Sequence, residues 1–155
     1  MNMTLMEQEL ERDEGLRLSA YKDPAGKLTI GVGRNLDDNP LSPAEELVIG
    51  HDGRTQPITR EQALYLLGND IKATTLCLDR FLPWWQNKDE VRKRVLINMC
   101  FNMGIQRLLK FEETLHWVRL GHYNAAASRM AESKWATQVG QRAVRLENMM
   151  RTGEV

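Results

Sequence analysis

The sequence predicts an α+β fold, mainly α, with a small N-terminal β-hairpin lobe, a larger helical lobe, a long helix joining them and a cleft between them. Three observations lead there. In "KLTIGVG" (27–33) the apolar residues alternate with period two, and the preceding "YKDPAGK" has the Pro and Gly of a tight turn. From residue 41 onward the apolar residues recur at helical spacing. One of those helices is long: Thr59 and Gln62 form a capping box, an apolar stripe of Leu64, Leu67, Ile71 and Leu78 follows, and Pro83 stops it.

The elements follow in order. A first helix runs from about Leu5, with Met6 and Leu10 four apart on one face, and stops at Gly15. The hairpin comes next, with Pro24 presetting φ and Gly26 taking a positive φ. In its second strand Leu28, Ile30 and Val32 point one way and Thr29, Gly31 and Gly33 the other. A third strand is expected near residues 54–58, "RTQPI". Ser42-Pro43 starts a short helix that Gly50 ends. Beyond the long helix, helices are expected from about Asp89 to Met103, from Phe111 to Leu120, near 123–134 and near 140–151. Trp84-Trp85 follow Pro83 and pack the junction between helices. The expected organisation is one domain over 1–155, with a small lobe at about 14–60, a linking helix at about 60–82, and a helical lobe of 83–155 plus the N-terminal helix.

Composition bounds the classes. A chain of 155 residues buries roughly two thirds of its unfolded surface, so it needs no disulfide or metal to be stable. Cys77 and Cys100 each lie in an apolar helical pattern without metal-ligand spacing, and are read as reduced core residues. His51, His116 and His122 are scattered, which opposes a metal site. The acidic start lacks the basic and apolar runs of a signal peptide, and no stretch is apolar enough to span a membrane. Net charge is zero, but residues 1–60 carry 7 Lys and Arg against 11 Asp and Glu, while 61–155 carry 14 against 10. That asymmetry is weak for a nucleic-acid binder. Arg92-Lys93-Arg94 are read as a solvated face, since consecutive positions point around a helix.

Thr29, Gly31 and Gly33 make a face that packs a core poorly and suits close approach of a ligand to the backbone. Cleaving a glycosidic bond needs a carboxylic acid to protonate the leaving oxygen and a second carboxylate at the anomeric side. Glu14 and Asp23 can be that pair, and Thr29 can position a water. Each also has a plain reading: a solvated helix-end Glu, an Asp serving its turn, and a Thr suited to a strand.

The composite "DEG…YKDPAGKLTIGVG" resembles the start of the phage-type lysozymes, the endolysins of tailed bacteriophages. The resemblance continues through "RKRVLINMCFNMG" (92–104), "FEETL" (111–115), "ESKWATQ" (132–138), "RAVR" (142–145) and "RTG" (151–153), in the order of the larger two-lobed members. It implies a muramidase that hydrolyses the β-1,4 bond between N-acetylmuramic acid and N-acetylglucosamine with inversion, without metal or cofactor. By position, Glu14 matches the general acid, Asp23 the second carboxylate and Thr29 the holder of the attacking water. Arg142 matches an Arg beside the catalytic Glu; its charge would lower the Glu pKa while burial would raise it. Phe101 and Thr114 match substrate-contact positions. Trp135 matches an aromatic near the cleft, and a core role fits it equally well. Asn35 and Arg129 fall at contact positions that vary, Asn102 stands where Gln is frequent, and Gly33 lies on the glycine face. Arg34 stands where many members have His, and is expected to pair with Asp70.

The implied partner is the peptidoglycan glycan strand, with no nucleic acid and no membrane insertion. The expected enzyme is a monomer that accumulates in the host cytoplasm and reaches the wall after a separate holin-type protein acts. Without a wall-binding module it suits a thin-walled, Gram-negative host. A lytic transglycosylase relies on a single Glu, so Asp23 and Thr29 in register argue against that rival. Two rivals come from outside the enzymes: a wall-binding relative that has lost catalysis, and a helical nucleic-acid binder, which zero net charge opposes.

Overall fold

Asn2 caps the first helix by accepting the Leu5 N–H at 3.1 Å, and α1 then runs Met3–Glu14 before Gly15 closes it. The computed structural model describes the whole chain, Met1–Val155. Its residues form two compact units, 2–72 and 73–155, with Met1 counted in the second. This division puts α1 with the strands, whereas the sequence pattern assigns it to the helical lobe.

In the first unit β1 (Arg17–Lys22), β2 (Leu28–Gly31) and β3 (Arg34–Asn35) make an antiparallel sheet in that order. Tyr21 lies opposite Thr29, and Thr29 opposite Asn35. Between Arg17 and Tyr21 the register slips, so β1 bulges there. The third strand is thus at 34–35, and the expectation of a strand at 54–58 is corrected. Pro57 has no N–H to offer a ladder, and the Asp52 carboxylate folds the loop by accepting the Arg54 N–H at 3.0 Å. One strand-like bond survives, Ile58 N–H to the Leu18 carbonyl at 2.8 Å. Ile30, Leu36, Leu41, Ile49, Ile58, Ala63 and Leu66 form the core of this unit. Helix α2 (Pro43–Ile49) has the expected start, a Ser42–Glu45 capping box, and Gly50 as its stop.

Helix α3 (Arg60–Phe81) starts at the expected box, with Gln62 N–H on Thr59 Oγ1 at 3.1 Å and Thr59 N–H on Gln62 Oε1 at 2.9 Å. It spans the boundary of the two units. Ala63, Leu66, Leu67, Ile71 and Leu78 are its buried stripe, whereas Leu64 is half-buried.

The second unit holds a 3₁₀ turn at Trp85–Asn87 and six helices after it. Trp85 is buried, and its indole N–H donates to Asp79 Oδ1 at 2.7 Å, as a junction residue should. Helices α4 (Glu90–Met103), α6 (Glu112–Leu120), α7 (Tyr123–Ala131) and α9 (Gln141–Thr152) follow the sequence expectation closely. Two short helices have no counterpart in that expectation: α5 (Ile105–Leu108), and α8 (Lys134–Val139), which Ser133 caps. Helix α7 packs on α6 and α9, and α9 packs on α4 and α8. The solvated face expected for Arg92-Lys93-Arg94 is corrected. Arg94 is 1% exposed, and Arg92 donates to the Met150 and Arg151 carbonyls at 2.8 and 3.0 Å, capping the end of α9. Both cysteines are free; burial, with Cys77 nearby, pushes the Cys100 thiol up to about 12. No helix is long and apolar enough to cross a membrane.

Candidate active site

Asp23 and Thr29 are anchored to one residue. Asp23 Oδ1 accepts the Lys27 N–H at 2.9 Å and the Ala25 N–H at 2.9 Å. Thr29 Oγ1 donates to the Lys27 carbonyl at 3.0 Å. The turn chemistry expected of Asp23 is therefore present, but it engages one carboxylate oxygen and leaves Oδ2 open. Thr29 is 4% exposed, and with its hydrogen on Lys27 its oxygen can only accept further bonds. The sequence pattern does not single out the Lys27 backbone; the signal that points to it is the Asx turn that Asp23 begins.

Glu14 is the last residue of α1 and is half-buried. Gly33 runs close to it: a β-carbon at Gly33, whose φ is +71°, would lie 3.0 Å from Glu14 Oε1 and 3.2 Å from its Cδ. Glycine is thus demanded here by both conformation and space. Gly31 differs. A β-carbon there would face Ala63 Cβ at 3.6 Å and Ile58 Cδ1 at 3.8 Å, so Gly31 packs toward α3. The expectation that Gly31 shares an open face with Thr29 is corrected, because its φ of +67° breaks the strand alternation.

Asn35 shares the cross-strand row with Thr29, yet its amide serves its own turn. Its Oδ1 accepts from the Asp37 and Asp38 N–H groups at 3.0 Å each, and its Nδ2 donates to Asp38 at 3.0 Å. One amide hydrogen remains for a ligand.

Arg34, next in line, supports the unit from within. It lies 3.3 Å from Asp70, so the expected pair forms. Its stronger partner, which the sequence does not reveal, is Glu45, met at 2.6 and 3.1 Å. Burial pushes the Glu45 carboxyl up, but Arg34, the Ser42 N–H and Asn69 together hold it at about 2. Burial pushes Asp70 up to about 6; Arg34 opposes that and Glu45 adds to it.

The remaining candidates belong to the second unit. Arg142 is buried, with Nε donating to Asn98 Oδ1 at 2.9 Å. Trp135 is 3% exposed, meets Phe111 edge-on at 6.2 Å, and donates its indole N–H to Asn102 Oδ1 at 2.7 Å. Of the two readings open for Trp135, the buried ring matches the core one. Asn102 is thereby oriented, with its NH₂ still available. Phe101 is half-buried on α4. Thr114 and Arg129 come together in one groove of about 480 Å³, with Phe111, Glu113, Glu132 and Ser133. Arg129 bridges Glu113 at 3.0 Å and Glu132 at 3.1 Å.

Glu14 thus ends α1 with Gly33 against its carboxyl, and Asp23 and Thr29 share the Lys27 backbone in the hairpin. Residues 11–151 match the phage lysozyme family. The chain belongs to that family. Phage lysozymes are glycoside hydrolases of peptidoglycan, and this member shares that class of activity and that substrate. Among relatives, the probable T4-type lysozyme 1 of Dictyostelium discoideum is 31% identical over 93% of this chain and 92% of its own length. The probable T4-type lysozyme 2 of the same organism is 30% identical over the same shares. The pre-baseplate central spike protein Gp5 of Enterobacteria phage T4 is 30% identical over 99% of this chain, a stretch that makes up 28% of the spike protein.

Proposed function

We propose that this phage lysozyme is an inverting muramidase cutting the β-1,4 bond between N-acetylmuramic acid and N-acetylglucosamine. Glu14 is the general acid that protonates the leaving oxygen. A water, held through its hydrogens by Asp23 Oδ2 and Thr29 Oγ1, attacks the anomeric carbon and passes a proton to Asp23. The observation that carries this reading is the shared anchor on Lys27: it leaves two acceptors, the free Asp23 oxygen and the Thr29 oxygen, on one short segment. Water between two acceptors keeps a lone pair for attack. Arg142, Phe101, Asn102, Thr114 and Arg129 are proposed as supporting and substrate-contact residues, and Gly33 as the gap that lets Glu14 sit against the strand.

In the biological setting we propose a phage endolysin, acting as a monomer, that reaches the wall from the host cytoplasm after a separate holin-type protein opens the membrane. The family match supports the wall as its target.

The test is clearing of outer-membrane-stripped Gram-negative cells by wild type and Glu14→Gln side by side, with mass spectrometry and proton NMR of the released fragments. Reducing N-acetylmuramic ends of inverted anomeric configuration are expected from wild type alone. Anhydro products would move the assignment to a transglycosylase, and clearing by Glu14→Gln would remove the acid role from Glu14.

A further inference from the structure

Tyr21 and Asn35 are the polar members of the strand row that the reaction above does not use, and the Tyr21 side chain alone makes no hydrogen bond with a protein group. It lies directly opposite Thr29, which in turn lies opposite Asn35, and directly opposed residues of an antiparallel pair share a face. The other two side chains of the row are engaged by the protein, Thr29 on the Lys27 carbonyl and Asn35 on its own turn. The Tyr21 hydroxyl makes no hydrogen bond with any protein group, although the residue is half-buried.

The ring is nevertheless held. The Arg17 guanidinium sits 4.4 Å from its centroid. In an unbroken strand, residues four apart stand more than ~13 Å from each other. The bulge between Arg17 and Tyr21 bends β1 and lets the cation reach the ring. Arg17 forms no ion pair, so the ring is its partner.

The hydroxyl also lies within the field of both candidate carboxylates. Burial is the main influence raising its pKa; Arg17 pulls it down, and Glu14 and Asp23 push it up. A phenol so placed stays protonated and acts as a hydrogen-bond donor. With no hydrogen bond to either carboxylate or to any other protein group, this donor is left for an acceptor oxygen on a ligand.

We propose that Tyr21 is a substrate-contact residue, whose hydroxyl donates a hydrogen bond to an oxygen of the saccharide bound at Glu14 and Asp23, with Arg17 holding the ring in place. The proposal rests on the muramidase reading of that site. Since the hydroxyl has no partner in the protein, removing it leaves no buried group unsatisfied. Loss of function without loss of stability is therefore its signature.

Tyr21→Phe, Glu14→Gln and wild type are to be compared on solubilised peptidoglycan, with thermal unfolding of all three. Tyr21→Phe should melt like wild type and show a roughly three- to tenfold lower kcat/KM, the size of one neutral hydrogen bond. Wild-type kcat/KM in Tyr21→Phe, with Glu14→Gln inactive, would overturn the Tyr21 proposal and leave the muramidase reading standing. A lowered melting temperature in Tyr21→Phe would also overturn it, in favour of a structural role. Full activity in Glu14→Gln would strike the reading on which the proposal depends.

Discussion

Arg34 and Glu45 are joined at two points, Nη2 to Oε1 at 2.6 Å and Nη1 to Oε2 at 3.1 Å, and Asp70 stands beside the same guanidinium at 3.3 Å. One cation thus serves two buried carboxylates, and Glu45 has the better geometry. Burial raises Asp70 to about 6 against an ordinary 3.8, with Arg34 opposing the rise and Glu45 adding to it.

The sign of the resulting pH dependence follows. Between about pH 4 and 6 the native state holds a proton on Asp70 that the unfolded chain has released, so the contribution of Asp70 to stability is full below pH 4 and is lost as pH rises through 6. Its size is roughly 2–3 kcal/mol. Asp70→Asn removes this dependence. Chemical denaturation from pH 4 to 7 should show the variant gaining on wild type as pH rises, ending at least as stable at pH 7. Parallel profiles for the two proteins would refute this.

Glu45 behaves in the opposite sense. Its pKa of about 2, against 4.5, contributes stability above pH 4.5 that is lost as pH falls toward 2. Glu45→Ala leaves Arg34 with only Asp70 and the Asn39 carbonyl and opens the capping box of α2, so denaturation at pH 7 should register a loss of roughly 2–3 kcal/mol. A loss below ~1 kcal/mol would mean that Asp70 substitutes for it.

Gly33→Ala forces a β-carbon against the Glu14 carboxyl at 3.0 Å and strains a φ of +71°. The strain costs roughly 1 kcal/mol in stability. The larger effect falls on turnover, since displacing a general acid lowers kcat more than it raises KM. Turnover is expected to drop more than ~10-fold; an unchanged kcat would separate Gly33 from the work of Glu14.

Asp23→Asn keeps Oδ1 to accept the Ala25 and Lys27 N–H groups, so the turn should survive and melting should change little. Charge and proton acceptance are lost, and activity should fall by far more than ~10-fold. A smaller fall would demote Asp23 to its turn role.

Trp135→Phe removes the donor that orients Asn102 and should cost roughly 1 kcal/mol of stability. Because the ring is buried, any rise in KM for glycan should come through Asn102 and not exceed that of Asn102→Ala. A large rise in KM with unchanged stability would restore Trp135 as a sugar contact.

The sequence by itself determined what local chemistry controls. Asn2 aside, the stop of α1 and the caps of α2 and α3 are readable because Gly15, Ser42, Gly50 and Thr59 act within a turn of their own helix. The hairpin turn at Asp23–Lys27 is equally local, and the candidates Glu14, Asp23 and Thr29 fall on the elements expected for them. What tertiary structure decided depends on partners distant in sequence or on space. Arg34 chose Glu45 over Asp70 because α2 brings a carboxylate into two-point reach. Trp135 became core because Asn102, on another helix, takes its N–H. Strand β3 formed at Arg34–Asn35 because two residues suffice beside β2, too few for any periodic signal. The open hydroxyl of Tyr21 is of the same kind: a residue's identity is written in the chain, but which of its atoms lack a partner is settled only when every other group has found its own.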